Sequence, residues 1–383
     1  ILNSIIFSWH FMCKHKKQNW FNICTFPFQC IEENEVYLPS DELWIYDMDS
    51  GLWTMHLMEG ELPTSMSGSC GASINGKLYI FGGFDDKGYS NRLYYVNLRT
   101  KTGTYRWKKI TNFKGQPPTP RDKLSCWVYK NRLIYFGGYG CRKHNELNDC
   151  FDVHDAFWEG QIFWGWHNDV HVFDTATQTW SQPTIRGGDP PQPRAAHTCA
   201  VLGNKGYIFG GRVLQTRMND LHCLNLDTWT WSGRAICVNQ KIVFCPKKPF
   251  NECSPIAGDG WIHSIATNGW KQLTHLPKSR PRLWHTACLG QEGEVMVFGG
   301  SKDDLLFMDT CSDLLIFQTQ PYSLLRLCLD YIGKNAALLE NQIPCLPSKL
   351  LQEVLKKITF WAAMTHRQER KAETERQSQL HST

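Results

Sequence analysis

Positively charged and aromatic side chains follow paired glycines at positions related by an internal repeat. Arg212 comes directly after one Gly-Gly pair, and Arg217 lies five residues further along the same GGRVLQTRMND segment. Tyr139 follows another Gly-Gly pair. Guanidinium groups form bidentate, charge-assisted hydrogen bonds to planar carboxylates, and an aromatic wall beside them would shape the pocket. These residue types indicate a binding site for an anion.

The repeat adds a third cation and a second aromatic side chain to this candidate site. The residues after the four Gly-Gly pairs that end apolar strands are Phe84, Tyr139, Arg212 and Ser301. The residues just before the His position of each Pro-Arg-x-x-His-like segment are Met66, Lys123, Ala196 and Trp284. We expect both sets to lie on one face of the stacked sheets. There Lys123 would lie close to Arg212 and Arg217, and so would Trp166, which comes from a long aromatic insertion. Alternatively, Arg212 and Arg217 pair with nearby acids such as Asp220 or Asp189.

The elements that must position these side chains are short apolar strands that end in Gly-Gly. They read LYIFGG, LIYFGG, GYIFGG and VMVFGG. Two other series keep step with them, one that ends in tryptophan, as in DVHVFDTATQTW and DLHCLNLDTWTW, and one that begins with Pro-Arg. A unit of this kind cannot bury its own apolar face, so the repeat predicts four-stranded sheets stacked on one another.

The repeat unit resembles the kelch repeat, which forms the blades of β-propellers. The resemblance implies an all-β fold, a six-bladed kelch β-propeller over residues 39–320 with an α-helical appendage after it. Residues 1–38 and 235–258 carry no Gly-Gly pair. We interpret both segments as atypical, arising from the gene model or from splicing, and we expect blades one and five to be incomplete.

The pattern changes to a helical period after the last strand, over residues 321–360. The first amphipathic segment resembles an elongin-C-binding box, and its matching residues are Ser323, Leu324, Cys328 and Ile332. The second resembles a cullin-2-type box, and its matching residues are Leu346, Pro347, Leu350 and Val354. A cullin-5 variant is not excluded, and the alternative is a helix pair that only covers the bottom of the propeller. Residues 361–383 predict a frayed tail.

Across residues 39–234 and 259–360, the chain resembles the family of kelch domain-containing proteins 1 and 2. These are substrate receptors of elongin–cullin ubiquitin ligases that recognise protein C-termini ending in glycine. The resemblance implies that Arg212 and Arg217 grip the terminal carboxylate, with Lys123, Tyr139 and Trp166 in support. It also implies elongin B and C and cullin-2 or cullin-5 as partners, no cofactor, no catalytic residue, and a location in the cytoplasm or nucleus.

Composition and spacing weigh against several other functions. A net charge of +5 over 383 residues is too mild to indicate nucleic-acid binding. The 16 cysteines include no C-x-x-C pair, which favours reduced thiols in an intracellular protein. No apolar run approaches the ~18 residues that a membrane helix needs. His167 and His171 superficially resemble a metalloprotease pair, but the Glu of that motif is missing.

Three other classes of kelch protein make different demands on the sequence. A copper oxidase would need a Tyr/His/Cys cluster among the aligned mouth positions, and these hold none. A BTB-type cullin-3 adaptor would need a domain of ~100 residues before the repeats, for which residues 1–38 are too short. A non-catalytic scaffold or actin-binding module remains the main alternative to a ligase receptor, because it needs the repeats but neither helical box.

Overall fold

The chain is mostly β-sheet and ends in helices. The computed structural model describes residues 7–8, 11–14, 20–24, 27–31, 34–37, 40–47, 52–100, 104–143, 151–152, 158–159, 162–213, 216–232, 241–244, 260–264, 269–273, 286–289, 294–299, 314–318 and 321–380. The predicted mostly-β repeat domain with a helical C-terminal appendage is confirmed. Most of residues 235–258, which we had singled out as atypical, lie outside the described part.

The first sheet draws on the N-terminal segment. The strands are β1 (Phe7–Ser8), β2 (Phe11–Lys14), β3 (Trp20–Cys24), β4 (Pro27–Ile31), β5 (Asn34–Tyr37), β6 (Glu42–Asp47) and β7 (Leu52–Gly60). β2, β3, β6 and β7 form the first sheet in that order, while β1, β4 and β5 pair separately. The expectation of an incomplete first blade was therefore wrong. Backbone pairing needs β-forming residues such as Phe21 and Ile23, not the Gly-Gly motif.

The second sheet is joined to the first by a parallel strand pair. Its region contains β8 (Cys70–Ile74), β9 (Lys77–Phe81), β10 (Phe84–Asp85), β11 (Gly88–Tyr89), β12 (Leu93–Asn97) and β13 (Tyr105–Lys109). The second sheet has the order β8-β9-β12-β13, and β13 runs parallel to β7. β10 and β11 form a separate hairpin beyond the end of β9.

The third sheet carries the long insertion. The strands are β14 (Arg121–Asp122), β15 (Ser125–Tyr129), β16 (Arg132–Phe136), β17 (Tyr139–Lys143), β18 (Phe151–Asp152), β19 (Trp158–Glu159), β20 (Ile162–His167), β21 (Val170–Asp174) and β22 (Thr179–Ser181). β15, β16, β21 and β22 form the third sheet, and β14, β17 and β20 with the short β18 and β19 form an accessory sheet. In the chain, β17 follows β16 and β20 precedes β21, so the insertion lies between the two central strands of the third sheet.

The remaining strands form three more sheets. They are β23 (Thr198–Leu202), β24 (Lys205–Val213), β25 (Thr216–Asn225), β26 (Thr230–Ser232), β27 (Lys241–Phe244), β28 (Gly260–Ser264), β29 (Gly269–Leu273), β30 (Thr286–Leu289), β31 (Glu294–Phe298) and β32 (Leu314–Gln318). The fourth sheet has four strands, β23 to β26. In the described part of the chain, the fifth (β27–β29) and sixth (β30–β32) sheets have three strands each.

The first strands of the sheets lie side by side. β15 packs between β8 and β23, and β2 packs beside both β8 and β30. Three tryptophans of the repeat, one each in the second, third and fourth sheets, are buried between sheets, and these are Trp107, Trp180 and Trp231. The backbone carbonyl of each of these tryptophans lies against a glycine with positive φ. In the same order, the glycines are Gly60, Gly115 and Gly188. Any side chain there would collide with the neighbouring sheet.

The C-terminal appendage consists of α1 (Leu324–Lys334), two 3₁₀ turns, η1 (Ala336–Leu339) and η2 (Ile343–Cys345), and α2 (Ser348–Leu380). Leu329, Ile343 and Val354 form its small core. We predicted a frayed tail after residue 360, whereas α2 continues to Leu380. The segment is rich in Glu, Lys, Arg, Gln and Ala, which are strong helix formers. Among the described residues, no helix is long and apolar enough to span a membrane.

Candidate functional site

The residue after the Gly-Gly pair occupies the same structural position in three successive sheets. Both glycines of each pair have positive φ, between 65° and 112°. Immediately after them, Phe84 bridges to Ser67, Tyr139 to Asp122, and Arg212 to Ala195, each time antiparallel. Phe84, Tyr139 and Arg212 therefore lie on one edge of the stacked sheets, here called the rim. Ser301, the fourth predicted position, lies outside the described residues.

A second series of equivalent residues lies next to the rim in left-handed conformations. Gly68, Lys123 and Ala196 have φ of 67°, 54° and 57°. The Lys123 N–H donates to the Gly68 carbonyl at 2.8 Å, and the Ala196 N–H donates to the Lys123 carbonyl at 2.9 Å. Gly68 is therefore the structural equivalent of Lys123. The predicted alignment, which placed Met66 at this position, was wrong by two residues. Trp284 lies outside the described residues.

The two arginines of the candidate site face each other across a hairpin. In the register of β24 and β25, Arg212 pairs directly with Arg217. Side chains of directly paired residues project from the same face of a sheet, with Cβ atoms about 4.5–5.5 Å apart. Arg212 is exposed and Arg217 is half-buried. Two like charges in this position repel each other, and an anion that contacted both guanidiniums would reduce that repulsion.

Asp220, one of the acids that could have neutralised this pair, is occupied by a different arginine. Its carboxylate accepts hydrogen bonds from the Arg194 guanidinium at 2.7 and 2.9 Å, and its Oδ2 lies 2.7 Å from His222 Nε2. Burial opposes ionisation of Asp220, but the bonds from His222 and Arg194 outweigh it and hold its pKa below the usual range. Asp189, the other acid considered, is exposed.

Two aromatic rings of the candidate site lie in the neighbouring accessory sheet. Tyr139 and Trp166 are register partners in β17 and β20, and their ring centroids lie 4.9 Å apart in an edge-to-face arrangement. Trp166 is buried and Tyr139 is half-buried. Burial raises the pKa of Tyr139, the charge of Asp122 raises it further, and Arg212 opposes both. The phenol therefore lies within electrostatic reach of Arg212.

Lys123 belongs to an ion pair and is not an isolated cation. Its ammonium contacts the carboxylate of Asp122, whose side chain is 1% exposed. Burial raises the pKa of Asp122, and Lys123 offsets part of that increase. The pair compensates its own charge, so Lys123 adds little net positive charge to the site.

Sequence reasoning missed a buried charge network beneath the rim. The guanidinium of Arg121 binds Asp169 and donates to the Gly137 carbonyl at 3.2 Å. Arg194 does the same with Asp220 and the Gly210 carbonyl, at 2.9 Å for the latter. The sequence carries a signal for this network, because an Asn-Asp-x-His segment occurs twice, at residues 168–171 and 219–222. The Asp of each segment binds the arginine of one Pro-Arg motif.

The backbone of these two arginines ties neighbouring sheets together. The carbonyl of Arg121 accepts from the Gly83 N–H, and that of Arg194 accepts from the Gly138 N–H, both at 2.9 Å. Each arginine therefore holds the Gly-Gly turn of its own sheet with its side chain and the preceding turn with its backbone. This network fixes the turns that place the rim residues.

The same network accounts for the histidine pair of the insertion. Asp169 is contacted by Arg121, Arg142 and His171, whose Nε2 lies 3.0 Å away. Two guanidiniums would repel a metal ion from this carboxylate. In the part of the chain that the structure describes, no group of His, Cys, Asp and Glu side chains is arranged to hold one.

The elongin-C-box residues lie mostly on the surface of α1. The Ser323 hydroxyl accepts from the Arg326 N–H at 3.2 Å and caps the helix. Leu324 is 76% exposed, and Leu327, Cys328 and Tyr331 are also exposed. These four residues follow the i, i+3, i+4, i+7 pattern of one helix face, here called the α1 stripe. Ile332, one turn after Cys328 at the edge of this face, is half-buried and packs against the appendage core.

The cullin-box residues are used differently. Val354 is fully buried, and Leu346 and Leu350 pack around it in the core of the appendage. Pro347 is exposed at the start of α2. The aliphatic side chains of this box therefore contribute to the packing of α1 against α2, while Pro347 faces solvent.

Comparison with known proteins finds kelch-repeat proteins among both the family models and the relatives. The KLHDC2/KLHL20/DRC7 Kelch-repeats domain matches residues 29–232. Human kelch domain-containing protein 1 is 74% identical over 90% of this chain and 89% of that protein. Bovine kelch domain-containing protein 2 is 42% identical over 84% of this chain and 82% of that protein. The solved structure of YjhT aligns with a TM-score of 0.57 at 14% identity, over 83% of this chain and 97% of that chain, a likeness of fold alone.

Proposed function

The chain belongs to the kelch-repeat family that includes kelch domain-containing proteins 1 and 2, and from this premise we propose that it is a non-catalytic substrate receptor of a cullin–RING ubiquitin ligase. Its six sheets act as the blades of a propeller, and the rim binds the C-terminal carboxylate of proteins that end in glycine. The observation that carries the proposal is the register of β24 and β25, which sets Arg212 directly opposite Arg217.

The neighbouring side chains support a carboxylate at the end of a peptide. A planar carboxylate can accept bonds from both guanidiniums at once. The half-buried Tyr139 ring, held edge-to-face by the buried Trp166, would form an aromatic boundary at the place where the last residue lies. Glycine is selected because a side chain at that residue would meet these rings. The bound protein is then held through its main chain and terminal charge.

The appendage would link the captured protein to the ligase. The α1 stripe offers Leu324 as an apolar anchor and Cys328 as a small residue one turn later, a combination suited to docking in a groove of elongin C. Elongin B and C would then join the receptor to cullin-2 or cullin-5, in the cytoplasm or nucleus. A plain scaffold has no need of an exposed apolar stripe on a helix outside its repeats.

A peptide-binding measurement tests the carboxylate clamp. A labelled peptide that ends in Gly-Gly is compared by fluorescence polarisation with the same peptide carrying a C-terminal amide. We expect Arg212→Ala or Arg217→Ala to weaken binding of the free acid by at least about tenfold, because a charge-assisted hydrogen bond contributes about 1.5–3 kcal/mol. Arg132→Ala is a control at the far end of β16, where the half-buried guanidinium lies over the Tyr129 and Trp229 rings, and it should leave affinity unchanged. Equal affinity for acid and amide would contradict the proposal.

A further inference from the structure

A row of aromatic rings continues from the candidate site into the second sheet. Beyond Trp166 and Tyr139, the Tyr89 ring lies 5.8 Å from that of Tyr139, and the Phe84 ring lies 4.9 Å from that of Tyr89. Phe84 and Tyr89, here called the aromatic shelf, are both half-buried, so part of each ring faces solvent. The row therefore joins two neighbouring sheets along the rim.

The hairpin that carries the shelf is firmly held. The buried carboxylate of Asp85 accepts bonds from the Thr64 hydroxyl at 2.7 Å and from the Lys87 N–H at 2.9 Å. Phe84 exchanges two backbone hydrogen bonds with Ser67, both at 2.8 Å. β10 and β11 thus present Phe84 and Tyr89 in a fixed position, which lowers the entropic cost of binding a ligand there.

The chemistry of the rim is graded from apolar to cationic. Equivalent positions hold Phe84 in the second sheet, Tyr139 in the third and Arg212 in the fourth. Two carboxylates near the shelf already have partners, since Asp85 accepts bonds from Thr64 and Lys87, and Asp122, whose charge acts on Tyr89, contacts Lys123. A ligand that matches this order is anionic at one end and apolar a short distance away, like a protein C-terminus with an apolar side chain upstream.

We propose that Phe84 and Tyr89 form a second subsite of the same pocket, which binds an apolar or aromatic side chain upstream of the terminal glycine. This inference rests on the proposed function, because the terminal carboxylate must lie at Arg212 and Arg217 for the tail to reach the shelf. An extended peptide advances about 3.3 Å per residue. The 5.8 Å and 4.9 Å steps beyond Tyr139 therefore put the contact at about the third to fifth residue from the C-terminus.

Peptides that differ only upstream test this subsite without altering the protein. In a series ending in Gly-Gly, the third, fourth and fifth residues from the C-terminus are replaced one at a time by Phe, Leu, Ser or Asp. At one or more of these positions we expect Phe and Leu to bind about tenfold or more tighter than Ser or Asp, since only the former bury apolar surface on the shelf. Equal affinities throughout would overturn the inference.

Protein variants then locate the preference. Tyr89→Ala and Phe84→Ala should remove the advantage of the apolar peptides, while Tyr89→Phe keeps the ring and should retain it. The matched control is Tyr129→Ala, which removes a half-exposed ring at the opposite end of β15, where its hydroxyl donates to Asp227 at 2.9 Å. Each variant is used only if its melting temperature is within a few degrees of the parent, and the peptide series stands on its own if one fails to fold.

The two proposals fail in different ways. If acid and amide peptides bind equally, the carboxylate clamp is wrong and the subsite falls with it. If binding depends on the free carboxylate but the apolar preference survives Tyr89→Ala and Phe84→Ala, only the subsite is overturned. A preference lost in both shelf variants and kept in Tyr129→Ala and Tyr89→Phe supports it.

Discussion

Buried titratable side chains beside the rim should make the stability of this protein depend on pH. His197 is 8% exposed, its Nε2 lies 2.7 Å from the Ser125 hydroxyl, and its ring meets the edge of Phe136. Burial and then the charge of Arg194 lower the pKa of His197 to about 3. The folded protein therefore keeps this imidazole neutral at pH values where an unfolded chain, with a histidine pKa near 6.5, would protonate it.

We predict that His197→Gln flattens this pH dependence. Between about pH 6.5 and pH 3 His197 binds a proton in the unfolded state but not in the folded state, so its contribution to the free energy of unfolding falls as pH falls, by about 1.4 kcal/mol per unit. The amide introduced by this substitution cannot titrate, and it can still reach Ser125. Denaturant titrations at pH 7.5 and 5.0 measure the difference. Ser125→Ala is the control, since it keeps the titrating ring and should keep the slope. A parental slope in His197→Gln would contradict the prediction.

Sequence reasoning at the residue scale found the repeat-related positions but not their partners. The spacing after Gly-Gly correctly brought Tyr139 and Arg212 to one rim, because repeated units place equivalent residues equivalently. It could not tell that Asp220 belongs to Arg194, since that bond joins residues 26 apart across a fold not yet known. The direct register of Arg212 with Arg217 also depends on a bulge between Phe209 and Gly211, which no local pattern reveals.

At the scale of elements, helical periodicity gave the helices but not which face each one buries. α1 was expected from the spacing of Leu324, Cys328 and Ile332, and the structure has a helix over Leu324–Lys334. The second box was read as a docking motif, yet Val354 lies in the core against α1. Both outcomes fit the same sequence pattern, because an amphipathic helix can turn its apolar face to its own chain or to a partner.

The α1 stripe is exposed whereas the second box is packed in the core, and this difference leads to a prediction about elongin binding. We predict that Leu324→Ala combined with Cys328→Phe abolishes co-purification with elongin B and C, because the anchor is lost and the bulkier ring prevents close approach. Leu338→Ala is the matched control, since Leu338 is 80% exposed in η1 but lies off the stripe. Affinity for a Gly-Gly peptide should be unchanged in both variants. Retention of the elongins by the double variant would contradict the docking assignment.

The stacking of the whole chain was predictable from its repeats, while the role of the segments without repeats was not. Three motifs in phase predicted stacked sheets, and buried tryptophans such as Trp107 and Trp231 lie between them as expected. Residues 1–38 lack all three motifs, and we therefore expected the first blade to be incomplete. Strand pairing, however, is made by the backbone, and β3 pairs with β6 although its sequence carries no repeat signature. Repeat analysis cannot detect a strand of that kind.

The N-terminal strand β2 provides the last prediction, which concerns the closure of the whole repeat domain. β2 lies beside β8 of the second sheet and β30 of the sixth, so it connects the beginning of the repeat series with its end. Deleting residues 1–19 would leave the edge of β3 unpaired and remove the strand that separates β8 from β30. We expect the melting temperature, followed by circular dichroism, to fall by more than about 5 °C, because a loss of a few kcal/mol shifts melting by that amount in a domain of this size. Deleting residues 366–383, at the far end of α2, should change it little. An unchanged melting temperature in the N-terminal deletion would mean that the sheets hold together without β2 and that the segment we first set aside is dispensable.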